Sequence, residues 1–118
     1  NCSGKHAGMV VTCQAQGWAI GSYLERHHPL QRCIDDTITE FVGEPFAHVG
    51  VDGCGAPVHA MPLVGLARAF RTVALTQPAV FGAMTGHPQL VGGTHHDGTR
   101  WMQAIPGLLA KDGADGVY

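Results

Sequence analysis

The stretch AHVGVDGCGAPVHAMPLVGLARAFRTVA, residues 47–74, changes its periodicity across a single turn. Ala47 to Val51 is short and bounded by Asp52-Gly53-Cys54-Gly55-Ala56-Pro57, a cluster of turn residues, so it reads as a strand running into a turn. Beyond Pro62 the spacing becomes helical. Leu63, Leu66, Ala67, Phe70, Val73 and Ala74 recur at i, i+3, i+4 and i+7, which predicts an amphipathic helix with this stripe in the core. A strand followed by a helix of independent pattern points to an α+β fold.

Working outward, helices dominate. Lys5 to Gln16 reads as a helix capped by Ser3, with Met9, Val10 and Cys13 on one face and Gly17 beyond its end. Pro29 suits a first helical position, and Leu30, Ile34, Ile38, Phe41 and Val42 form the inner face of a helix ended by Gly43. Toward the other end, the pattern predicts a helix over 78–84, a loop over 92–98, a helix over 99–104 and a hairpin-like strand around 108–118. Cys13 and Cys33 are expected as inert core thiols, Trp18 and Trp101 as packing anchors. His27, His28, His95 and His96 stand in polar loops flanked by Pro or Gly and are expected on the surface.

Composition bounds the function. The chain has 118 residues, 45% hydrophobic and 14% charged, enough apolar content for one small domain. A net charge of −2 gives no electrostatic case for nucleic acid or an anionic membrane, and no apolar run approaches the roughly 20 residues of a membrane helix. Four cysteines without a CxxC pair suit a reduced, cytoplasmic setting better than a disulfide scaffold. The chain opens at Asn1 inside a dense motif and stops at Gly116-Val117-Tyr118 in a strand-like run, so both ends read as cut and residues 1–118 as one partial domain.

Two constellations carry chemistry. Asn1-Cys2-Ser3-Gly4-Lys5-His6 crowds polar side chains and ligand types at a helix start, where free N–H groups and the helix dipole favour a thiolate. Val51-Asp52-Gly53-Cys54-Gly55 puts a carboxylate and a thiol two residues apart on a glycine turn. If Cys2 and Cys54 converge, their soft donors suit Zn²⁺. A Lys5–Asp52 ion pair without metal is equally compatible with the spacing. A phosphate loop is not, because GxxxxGK[ST] is absent.

Asn1-Cys2-Ser3-Gly4-Lys5-His6-Ala7-Gly8-Met9 and Asp52-Gly53-Cys54-Gly55-Ala56-Pro57, followed by Ala60-Met61-Pro62-Leu63, resemble the two signature blocks of the rhizobial-type asparaginase II family. His28-Pro29, His87-Pro88 and the run from Pro106 to Tyr118 are similar in the same order. The resemblance implies a mainly helical piece of a serine-β-lactamase-like (penicillin-binding-protein-like) domain with a few short strands. It also implies hydrolysis of L-asparagine to L-aspartate and ammonia through a serine acyl-enzyme, in a homodimer as the full protein. By that resemblance Cys2, Lys5 and Cys54 are the zinc ligands, Asp52, Ser3 and His6 lie toward the substrate, and Lys111 lines the catalytic pocket like the lysine of a KTG motif.

The family's nucleophilic serine belongs to a Ser-x-x-Lys block expected upstream. The two serines present, Ser3 and Ser22, lack a lysine three positions on. The polar run from Gly93 to Arg100 also departs from the family. Two rival readings use the same residues. One is a closed structural zinc site of Cys2, Cys54 and a histidine such as His6, His48 or His59. The other is a thiol hydrolase pairing Cys2 or Cys54 with His6.

Overall fold

Glycines end the first two helices of the computed structural model, which describes residues 2–113. Helix α1 spans Ser3–Gln16, and Gly17 takes φ 69° so that its N–H reaches the Gln14 carbonyl while the Trp18 N–H reaches that of Cys13. This pair of bonds closes the helix and folds Trp18 back onto the core. Helix α2, Pro29–Val42, ends at Gly43 with φ 80°. The cap of α1 falls on Cys2 and not on Ser3, which is itself the first helical residue; no side chain caps this end.

The chain resolves into two compact units, Cys2–Thr72 and the residues from Val73 onward. In the first, α1 and α2 pack together beside a two-stranded antiparallel hairpin, β1 His48–Val51 and β2 Pro57–Ala60, with Val51 opposite Pro57 and Val49 opposite His59. The sequence pattern shows β1 but not β2, because a leading proline and a histidine interrupt its apolar run. Met9, Cys13, Leu30 and Ala56 form the core, with Trp18, Tyr23, Leu24, Ile34 and Cys54 packed against it.

His28 is buried, contrary to the surface position expected for it. Its Nδ1 accepts from the Leu30 N–H at 3.1 Å, capping α2, and its Nε2 donates to the Ala19 carbonyl at 2.9 Å. With both ring nitrogens satisfied, burial leaves no orphaned polar group. His27, His95 and His96 are exposed as expected, and so is Cys33, which is therefore not a core thiol. Trp101 is 43% exposed and is not buried as an anchor.

Helix α3, Leu63–Thr76, lies where the periodicity places it, but its leucine stripe is not core: Leu63 is 81% exposed and Leu66 40%. Instead its buried residue is Gly65, where an added Cβ would stand 2.6 Å from Val42 Cγ1. Three residues on, Arg68 donates to the Val42 carbonyl at 2.7 Å. Small size and a charged tip dock α3 on the end of α2.

The second unit is helical, with α4 Pro78–Gly86, the single turn α5 Pro88–Val91 and α6 Asp97–Ala104. Thr99 is fully buried and ties α6 to α5 and the loop after it, its hydroxyl lying 2.6 Å from the Gly93 carbonyl and 3.2 Å from that of Pro88. Residues 108–113 form no strand, and the rest of the strand expected to 118 lies outside the described residues. No helix among the described residues is long and apolar enough to cross a membrane. The architecture is thus α+β and mainly helical, with six α-helices and one two-stranded sheet among the described residues.

Candidate active site

The turn between β1 and β2 is built around one carboxylate. Asp52 closes the hairpin by donating its N–H to the Ala56 carbonyl and accepting from the Gly55 N–H, each at 2.8 Å. Gly55 makes this possible at φ 84°, a conformation that costs a side-chain-bearing residue about 1–2 kcal/mol. Asp52 Oδ1 accepts from the Gly53 N–H at 2.8 Å, which leaves Oδ2 directed outward.

Oδ2 is where the two sequence blocks meet. Lys5 Nζ lies 3.3 Å from it and 3.4 Å from Cys54 Sγ, and the Cys54 thiol lies 3.5 Å from the same oxygen. Cys2 joins them from the start of α1. One ligand atom each from Cys2, Asp52 and Cys54 lies within 4.8 Å of the others. Residues about fifty positions apart in sequence thus converge, because α1 and the hairpin pack on the same core.

The electrostatics follow from these contacts. The Asp52 carboxyl is held below its usual value by the Gly53 N–H first and then by Lys5 and Cys54. Burial works against the charge on Lys5, but hydrogen bonds to Cys54 and Asp52, with the negative field of Cys54 and Cys2, more than offset it and raise its pKa. The group is half open to water, Lys5 being 43% and Asp52 37% exposed at the side chain. It can accept a soft divalent ion, exchange protons, or hold a small polar molecule.

The remaining sites separate. His6 turns to Tyr23, its Nδ1 2.7 Å from the phenol oxygen, and so is paired with neither thiol. His59 binds Asp35 at 2.6 Å. Among the described residues no histidine belongs to the Cys2–Asp52–Cys54 group. Ser3 is exposed on the first turn of α1. Lys111 belongs to the second unit, where its amine donates to the Asp112 carbonyl and lies 3.5 Å from the buried Asp112 carboxylate.

Sequence reasoning missed the polar cluster behind the hairpin. Arg26 and His59 share the two oxygens of Asp35, and Phe46 packs its ring at 4.8 Å from that of His59. Their sequence positions show no common motif; only the carboxylate on the inner side of α2, Asp35 beside Ile34, hinted at a buried partner.

The family model of L-asparaginase II matches residues 1–118, the entire chain. The chain belongs to the L-asparaginase II family. A search of curated proteins finds no match. Membership supports, at the level of the family, an L-asparaginase-type amidohydrolase function on a small-molecule substrate.

Proposed function

We propose that the protein hydrolyses L-asparagine to L-aspartate and ammonia through a serine acyl-enzyme, in a serine-β-lactamase-like domain, and that residues 1–118 carry its zinc-site half. The observation that supports this best is the convergence of Lys5, Asp52 and Cys54 at 3.3–3.5 Å, with Cys2 beside them, from the two blocks shared with the family. Cys2, Lys5 and Cys54 would hold the ion. A tetrahedral zinc with bonds of about 2.0–2.3 Å separates its ligand atoms by about 3.3–3.8 Å. Lys5 Nζ and Cys54 Sγ already stand 3.4 Å apart, and the two thiols, within 4.8 Å of each other, need a contraction of no more than about 1 Å. The bound ion would supply a fixed positive field for the substrate and would not generate the nucleophile.

The chain's own residues do the rest. Asp52 Oδ2, fixed by the hairpin turn, is suited to receive the substrate's α-ammonium group, with Ser3 and His6 near the start of α1 on the substrate side. Lys111 is assigned to the wall of the catalytic pocket, and the nucleophile to a Ser-x-x-Lys block outside these residues. The four free thiols support a reducing, cytoplasmic setting for what we take to be a homodimer.

Elemental analysis tests the assignment. The full-length protein is expected to carry about one zinc per chain, and Cys2→Ser or Cys54→Ser to remove most of it, since a hydroxyl replaces a thiolate poorly. Unchanged zinc in both variants would overturn it. A second reading, a metal-free Lys5–Asp52 ion pair, has its support in the 3.3 Å contact. Lys5→Arg separates the two: a guanidinium stays charged and repels a cation, but it preserves an ion pair. Retained zinc affinity in that variant would make Lys5 an ion-pair partner of Asp52 and not a ligand, whereas a parent protein without zinc would favour the metal-free pair.

A further inference from the structure

We propose that α2 is the gauge that sets the distance between the two halves of the cysteine site, with Gln31 and Asp35 as positioning residues for α1 and the hairpin respectively. The inference rests on the reading of that site as functional. Gln31 and Asp35 are one turn apart and so lie on the same side of α2. Each is tied to a different half of the site.

Gln31 is 2% exposed, and its amide donates to the Tyr23 carbonyl at 2.8 Å and to Met9 Sδ at 3.5 Å. Met9 is one turn along α1 from Lys5, and the Tyr23 hydroxyl holds His6. One amide thereby fixes the helix that carries Cys2 and Lys5. Asp35 takes the other half. It holds His59, whose side chain is only 5% exposed, and is itself oriented by Arg26. His59 stands opposite Val49, at the third pair from the Asp52–Ala56 turn, so a shift of its ring moves the turn that presents Asp52 and Cys54.

Apolar contacts of Ala56 and Cys54 with the core add cohesion, but such contacts are non-directional and tolerate sliding. The direct link across the site is Lys5, long, flexible and 43% exposed, which follows the geometry and does not set it. The hydrogen bonds of the buried Gln31 amide and of the partly buried Asp35–His59 pair are directional, and where water is excluded an unmade one is costly. They therefore fix the register.

The test uses full-length protein and four variants: His59→Phe, His59→Gln, Gln31→Met and Val42→Ala. Zinc affinity is measured by chelator competition, and the cobalt-substituted spectrum reports thiolate geometry, both well below each melting temperature. Phenylarsine oxide, which bridges two close thiols, gives a metal-independent measure, with Cys2→Ser as its blank. His59→Phe and Gln31→Met are expected to weaken zinc binding about tenfold or more, shift the cobalt bands and lower arsenical binding. His59→Gln, which can still donate to Asp35, should recover most of the loss. Val42→Ala removes packing at the far end of α2 and should lower melting without moving the site readouts. Wild-type metal and arsenical binding in His59→Phe and Gln31→Met would overturn the proposal, as would an equal loss in Val42→Ala. A parent protein without zinc whose arsenical series keeps the expected order would sink the zinc reading and support the gauge.

Discussion

Helices α2 and α3 each have fourteen residues and a clear inward-facing pattern, yet they meet opposite fates. The more polar α2, with two aspartates, a glutamate and an arginine, buries Leu30, Gln31 and Val42. The apolar α3 leaves Leu63, Val64 and Leu66 exposed and docks through Gly65 and Arg68. Amphipathic pattern reports which face avoids water; it does not report which neighbour within a stretch of chain supplies the cover. On α2 two polar side chains meet complementary partners from other elements: a thioether and a carbonyl for Gln31, an imidazole and a guanidinium for Asp35.

The contrast breaks most readily at Leu30. Leu30→Ala, at 4% exposure in the core cluster, is expected to cost about 2–5 kcal/mol in urea unfolding. A cost near zero would mean that α2 does not organise the first unit. Gly65→Ala probes the one buried point of α3. Its new Cβ would stand 2.6 Å from the stiff, branched Val42, so a loss of about 1–3 kcal/mol is expected despite alanine's better helix propensity. A stabilised variant would show that the α2–α3 contact yields freely.

A smaller effect sharpens the role of Asp35 through pH. Burial opposes its charge, but the His59 and Arg26 hydrogen bonds outweigh that and depress its pKa when folded. A depressed carboxyl contributes stability that is present above its unfolded value of about 3.9 and lost as pH falls through the lower folded value. Asp35→Asn should therefore lower the urea midpoint at neutral pH and flatten its decline as pH falls through and below the unfolded value of about 3.9. An unchanged acid limb would remove Asp35 from the ion cluster. The smallest effect belongs to Leu63→Ala, which at 81% exposure should change stability by no more than about 0.5 kcal/mol. A core-sized loss there would restore the leucine stripe to the interior and reverse the comparison.

The sequence by itself determined where most elements lie and which side chains of reactive type stand at the helix start and at the turn. Pro29 and Gly43 bound α2 because one fixes φ for a first turn and the other accepts a left-handed cap. Cys2, Lys5, Asp52 and Cys54 stood out because their reactive side chains sit beside glycines at a helix start and a turn. Local signals of this kind are written in neighbouring residues. Tertiary structure alone decided the rest: that those four groups meet, that β2 pairs with β1, that His28 is a buried cap, that Cys33 faces water, and that α3 turns its leucines outward. Each of these depends on which distant surfaces come into contact, and a hydrogen bond such as His59–Asp35, 24 residues apart, leaves no period or motif in the chain that encodes it.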